Sequence, residues 1–397
     1  MFFIPDKDKK NITLIIISNT INRLILIENN SFLCFLLVYA ILYLYIACVS
    51  IFNYMNKTAI SIFISATIML TCTLTGCFEK IKSKANERKT EKTKVDIPEK
   101  EVINIDTVAY NKKLKALANG DTTGRWPVKH QPYPMKGAIL PFKRIVAYYG
   151  NLYSKRMGIL GEYPPKELWR RLKTEVKAWE QADPSTPVQP AIHYIAVVAQ
   201  GYPLKDGKYR TRMPKCQIDS ALSIARMGNA IVFLDVQVAL SNVRDEVPLL
   251  EKYLKMPHVH LAIDPEFSMK DGSRPGTKIG SYEASDINYC SDYLAKLVRE
   301  NKLPPKIFIV HRFTQRMVKN YNKIVLHPEV QIVMNMDGWG GPMLKYDSYR
   351  AYIYREPVQF TGFKLFYKND LKPAPHRMLT PPELIKLKPQ PIYIQYQ

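Results

Sequence analysis

The sequence predicts an α/β fold, a (β/α)8 TIM-type barrel, on three observations. Short apolar runs recur eight times between residues 144 and 397, and helical patterns separate them. Eight such units in about 255 residues match the size of one barrel of this kind. An open α/β sheet is the alternative that the same alternation allows.

The runs, in order, are RIVAYYG (144–150), AIHYIAVVA (191–199), AIVFLDVQV (230–238), VHLAIDPEF (259–267), KIFIVHRF (306–313), VQIVMNMDGW (330–339), QFTGFKLFY (359–367) and PIYIQYQ (391–397). Each is rich in Val, Ile, Phe or Tyr and is bounded by Pro, Gly or polar residues, as strands are. Nearly continuous apolar runs suit parallel strands covered on both faces. Between the first two runs, Leu168, Leu172, Val176 and Trp179 recur at helical spacing. Ile287, Leu294 and Leu297 do the same before the fifth. In TPPELIKL, Thr380 is placed as an N-cap, with prolines in the first turn and Glu383 three residues on. The helical signal is weakest after the fifth and sixth runs.

The segment ahead of the barrel has a different character. Residues 55–77, MNKTAISIFISATIMLTCTLTGC, have a short cationic start, an apolar run and small residues, the pattern of a secretory signal. Leu74-Thr75-Gly76-Cys77 resembles the lipobox of bacterial lipoproteins. That resemblance implies cleavage before Cys77, diacylation of its thiol, and a lipid-anchored protein of the cell envelope facing the periplasm or the surface. Two acyl chains anchor stably where one is marginal. A complete signal thus begins at Met55. Residues 1–54, which hold FLCFLLVYAILYLYIACVSIF, are then either upstream sequence or an extra membrane helix. Residues 78–139 read as a polar tether and entry segment, because the stretch after Cys77 has too few large apolar residues to order itself. The barrel is assigned to 140–397.

A net charge of +22 favours polyanionic surfaces but says nothing about fold. There is no zinc-finger spacing, RNP motif or clear helix-turn-helix, so nucleic acid is not an expected partner. The six cysteines include no C-x-x-C pair. Cys216 and Cys290 are expected to be free thiols, because Cys290 reads as helical. Nothing in the spacing requires a cofactor or a metal, although the clustered carboxylates would suit a hard cation.

In a barrel of this kind, chemistry gathers at the C-terminal ends of the strands. Here those ends turn polar: Asp235 and Gln237, Asp264 and Glu266, His311 and Arg312, Asn335 and Asp337 followed by Trp339, Lys364, and Gln395. Side chains two apart share a face of a strand, so Asp264 with Glu266, Asp235 with Gln237, and Asn335 with Asp337 are each expected to point together. Converging carboxylates push their pKa values apart, and one then keeps a proton while another stays ionised. Glycoside hydrolysis needs that division. Glu266, Asp264, Asp235 and Asp337 are therefore the candidate catalytic residues. Gln237, His311, Arg312, Asn335, Trp339, Lys364, Tyr148 and Gln395 are the candidate substrate contacts, with Tyr148, Tyr149 and Trp339 offering flat faces to sugar rings. Each residue alone also has a plain structural use, capping a helix or pairing with a neighbour.

The Asp264-Pro265-Glu266 stretch resembles the D-x-E on the same strand of barrel muramidases and chitinase-like glycoside hydrolases. That resemblance implies a proton-donor role for Glu266, with Asp264 supporting it or the substrate. The chain lacks the strand-1 aspartate of the muramidases, where it reads AYYGN, and lacks the longer acidic motif of the chitinases. The loops after the second and fourth runs, with Lys205, Lys208, Arg210, Arg212 and Lys215, then Lys270, Arg274 and Lys278, would draw an anionic carbohydrate. Two other readings stand beside the glycosidase: a non-catalytic glycan-binding lipoprotein, and a phosphodiesterase built on His311. The last needs a second histidine or a metal, and His193 reads as lying near the start of its strand, at the wrong end.

Overall fold

The computed structural model describes residues 105–397. The lipobox, the signal segment and the first part of the tether lie outside them. Eight parallel strands form the barrel: β1 (Arg144–Gly150), β2 (Val188–Ala199), β3 (Ile231–Val236), β4 (Val259–Ile263), β5 (Lys306–Arg312), β6 (Val330–Met336), β7 (Phe360–Leu365) and β8 (Tyr393–Tyr396). Each pairs with its neighbours in sequence, and β1 pairs with both β8 and β2, which closes the sheet on itself. Closure excludes the open-sheet alternative.

Strand parity decides what faces where. Ile145 and Ala147 of β1 point inward and pack with Ala191, Ile231, Phe233, Ala262, Ile307 and Ile309. Val146 and Tyr148 point outward, against Leu168, Leu172 and Trp179 of helix α2 (Pro165–Ala182). The N-terminal end of the barrel is plugged from within the entry segment. Helix α1 (Thr107–Leu117), N-capped by the Asp106 side chain, adds Tyr110, Leu114 and Leu117 to the interior cluster. Around the outside run α3 (Lys215–Arg226), α4 (Ala284–Asn301), α5 (Pro342–Tyr349) and the one-turn α6 (Pro381–Leu384). Thr380 and Glu383 form the expected capping box on α6.

Six of the eight predicted runs overshoot their strands at the C-terminal end, the first two ending where the strands do, and this matters most in β4. That strand stops at Ile263, and Pro265–Phe267 make a 3-10 turn capped by Asp264, whose Oδ1 accepts from the Glu266 amide at 3.1 Å. Proline carries no amide hydrogen to continue a ladder and is preset for a first helical turn. The period-2 rule therefore does not relate Asp264 to Glu266. After β5 the connection holds 3-10 turns (Gln315–Met317 and Tyr321–Lys323) in place of a full helix. A short strand, Arg210–Arg212, folds back antiparallel on the end of β2. Cys216 is exposed and Cys290 is buried, and both are free thiols.

Candidate active site

A cavity of about 710 Å³ opens at the C-terminal ends of the strands. Its wall includes Tyr149 from β1, Gln237 after β3, Asp264 and Glu266 after β4, Asp337 and Trp339 after β6, and Lys364 from β7. Asp264 and Glu266 thus reach one cavity through the 3-10 turn. Trp339 is 53% exposed and offers its ring at the rim. Arg156, Gln200, Lys345, Phe366 and Gln397 also line the space. Sequence reasoning missed them. Phe366 and Gln397 stand two residues beyond Lys364 and Gln395, so the strand period does mark them; Arg156, Gln200 and Lys345 lie in the connections, where no strand period marks an inward face.

A second tier lies beneath the cavity and is completely buried: His193, Asp235, His311, Asn335 and Gln395. His311 Nδ1 lies 2.9 Å from Asp337 Oδ2, and Lys364 Nζ is 2.8 Å from Asp337 Oδ1. The Lys364 ammonium also lies 3.8 Å from the centre of the Tyr149 ring, a cation–π contact. Gln237 accepts from the Ala199 amide at 3.1 Å and donates to Asp264 Oδ2 at 3.3 Å. Asn335 Nδ2 is 3.3 Å from His311 Nδ1 and 3.5 Å from Gln395 Oε1, and Gln395 Nε2 donates to the Tyr393 hydroxyl at 3.0 Å. Asn335 and Gln395 therefore belong to the support under the cavity and do not line it.

Two predicted contacts are not brought to the site. Arg312 alternates with His311, so the inward turn of the histidine sends Arg312 outward. Its guanidinium pairs with Glu356 and donates to the carbonyls of Thr314, Gln315 and Tyr352 at 3.2, 3.0 and 3.1 Å. Tyr148 faces outward for the same reason, and its hydroxyl lies 3.2 Å from that of Tyr367; its neighbour Tyr149 lines the cavity. His193 goes the other way. β2 starts at Val188, so His193 is mid-strand, and its Nε2 lies 3.4 Å from Asp235 Oδ2. Barrel strands tilt by about 36°, so position along a strand is not height along the barrel axis.

The electrostatics separate the carboxylates. Burial pushes Glu266 up to about 7, with the Asp337 charge adding to it and Lys364 and His311 opposing. Its carboxylate makes no hydrogen bond or ion pair among the described residues. Asp264 is raised well above the usual range, by burial first and by the neighbouring carboxylates, against the pull of His311. Burial would also raise Asp337, but Lys364 and His311 outweigh it and hold that carboxyl low. Asp235 is likewise held low, its burial overcome by His311 and His193. Burial draws His193 down to about 4, whereas Asp337 and Asp235 overcome the same effect at His311 and push it up to about 10.

No protein-family model and no curated protein matches the chain. Among solved structures it is similar to the mannanase BCman of Bacillus subtilis, at 12% identity and a TM-score of 0.33 over 65% of this chain and 81% of that one. It is also similar to a ruminal GH26 endo-β-1,4-mannanase, at 11% identity and a TM-score of 0.32 over 64% of this chain and 59% of that one.

Proposed function

We propose that this chain is a lipid-anchored glycoside hydrolase acting on a glycan of the envelope or its surroundings, with Glu266 as proton donor and Asp337 as the ionised partner. One observation carries the reading: a single cavity at the strand ends holds two carboxylates in opposite circumstances. Asp337 is fixed by Lys364 and His311, at 2.8 and 2.9 Å, while Glu266 faces the cavity with no cationic partner among the described residues. Carboxylates driven apart in this way are an acid and a base assigned by their surroundings. Glu266 would pass its proton to the departing glycosidic oxygen as the bond to the anomeric carbon breaks. The Asp337 carboxylate would meet the positive charge developing on the sugar, directly or through a water. Asp264 and Gln237, bonded to each other at the wall, would orient a hydroxyl of the sugar, and Trp339 would stack on a ring. The anchor rests on the lipobox at Cys77.

The test exploits leaving-group chemistry. An aryl glycoside with an acidic phenol departs without help, so a proton donor matters only for sugar leaving groups. Glu266→Gln is expected to keep most of its turnover on the aryl substrate and to lose about 10²–10⁴-fold on a natural glycan. Equal losses on both substrates would exclude the donor role.

A further inference from the structure

Beneath the cavity, β2, β3 and β5 bring three side chains to one point. His193 Nε2 and His311 Nε2 each lie 3.4 Å from Asp235 Oδ2, and the three atoms lie within 4.8 Å of one another. All three residues are 0% exposed. None of the three atoms has a hydrogen-bond partner among the described residues, although each is close to the others. Unsatisfied polar atoms are rare in a protein interior, and a buried carboxylate is costly without a partner. Here three such atoms face each other.

The spacing identifies the missing partner. A charge-assisted N–H···O bond runs to about 2.7–2.9 Å, and these contacts are longer and misdirected. Ligands on a tetrahedral ion, at a bond length of about 2.1 Å, stand about 3.4 Å apart. The two histidine-to-carboxylate separations match that edge, and the third lies within 4.8 Å. We infer that His193, Asp235 and His311 form a binding site for a divalent transition-metal ion of the zinc class.

The surroundings agree with this. Metal-ligating histidines nearly always have the second ring nitrogen held by a carboxylate or another polar group, which fixes the ring. His311 Nδ1 lies 2.9 Å from Asp337 Oδ2, so an imidazole that keeps its proton on Nδ1 and gives up the one on Nε2 to the metal would turn its Nε2 lone pair to Asp235. His193 Nδ1 lies 2.6 Å from the Tyr393 hydroxyl. Two imidazoles and one carboxylate suit zinc and its neighbours better than magnesium or calcium, which take oxygen. The Asp235 carboxylate supplies one negative charge to a divalent ion, since Asp337 is already paired with Lys364. Three protein ligands leave a fourth position, as in zinc sites that keep a solvent molecule. Of the four carboxylates that the sequence offers a cation, this donor set keeps only Asp235, and it shares His311 with the glycosidase reading without resting on it.

The experiment uses the full-length protein, stripped with a chelator and equilibrated with Zn²⁺. Metal content is counted by mass spectrometry, and the ligands are read by zinc-edge X-ray absorption. The expected result is about one ion per chain, with two imidazole nitrogens and an oxygen at about 2.0–2.2 Å. Asp235→Asn should abolish that uptake, and Tyr393→Phe should weaken it roughly 10-fold. Uptake should survive Cys216→Ser and His327→Ala, which remove an exposed thiol and a half-buried histidine, outside the cluster, paired with Asp292. If Asp235→Asn does not fold, the wild-type absorption spectrum decides alone. A stripped wild type that keeps its circular dichroism yet takes up no Zn²⁺ would overturn the proposal, and so would a sulfur ligand or a shell without imidazole. A proton on His311 would then be what bridges it to Asp235.

Discussion

Glu266 and Asp337 differ in their neighbours more than in their chemistry. A donor must be protonated, and burial with the nearby Asp337 charge holds Glu266 up to about 7. Its active form therefore predominates below that pH and disappears above it. We predict a kcat/KM that falls tenfold per pH unit on the alkaline side of an apparent pKa near 7. A profile flat from pH 6 to pH 9 would deny Glu266 the role of acid. Arg312 provides a contrast. It is as polar and as buried as the residues of the site, but its partner is Glu356 on the far side of the strand. Arg312→Ala leaves that carboxylate without its guanidinium, and breaking such a pair costs about 3–5 kcal/mol. A lower denaturation midpoint with unchanged KM in the folded protein is expected, and a raised KM would return Arg312 to the site. The strand period carries enough information to separate His311 from Arg312 and Tyr149 from Tyr148. What remains hidden in the sequence is which of the two parities faces inward, since both faces of a parallel strand are apolar.

At the scale of the element, each strand is marked by its own composition, while its last residue is not. β4 shows why. HLAID reads as a continuing strand, and the break comes from Pro265 together with the Asp264 cap on the Glu266 amide, a contact visible only in three dimensions. β2 misleads in the opposite direction: Val188, Gln189 and Pro190 belong to it despite a proline, so His193 is central. The start of β5 holds a further consequence. Lys306 is 0% exposed, and its ammonium donates to the carbonyls of Met256 and Val259 at 2.6 and 2.9 Å. Burial draws its pKa down from 10.5 to about 7. Between those values the unfolded chain binds the proton that the folded chain releases, so stability rises with pH across this window. The penalty of carrying the charge is fully present below about pH 7. Urea midpoints at pH 7 and pH 9 should differ more in the wild type than in Lys306→Met. Equal differences would mean that Lys306 does not titrate in this range.

For the whole molecule, the count and alternation of elements suffice to predict a barrel, because a closed (β/α)8 sheet needs only eight units of the right length. Its plug is less legible. α1 follows a long charged stretch, and only Tyr110, Leu114 and Leu117 mark the face it gives to the interior. The cationic rim is also weaker than its sequence implies. Arg210 and Arg212 share Glu246 at 2.7 Å, and Lys270 and Lys278 pair with Asp286 and Asp271. A net charge summed along the chain cannot reveal such neutralisation, because it does not say which charges meet: Glu246 comes from the connection after β3, while Asp271 and Asp286 lie in the same connection as their lysines. The cavity itself presents acids, two ion-paired lysines (Lys345 and Lys364), Arg156 and aromatic faces, a surface suited to sugar hydroxyls. The most direct test is release of reducing ends by the full-length protein from a panel of neutral and acidic glycans and peptidoglycan, with Glu266→Gln run in parallel. The account predicts release by the wild type from at least one substrate and a loss of about 10²-fold or more in the folded variant. Release at the same rate by both proteins, or binding without release by either, would contradict it.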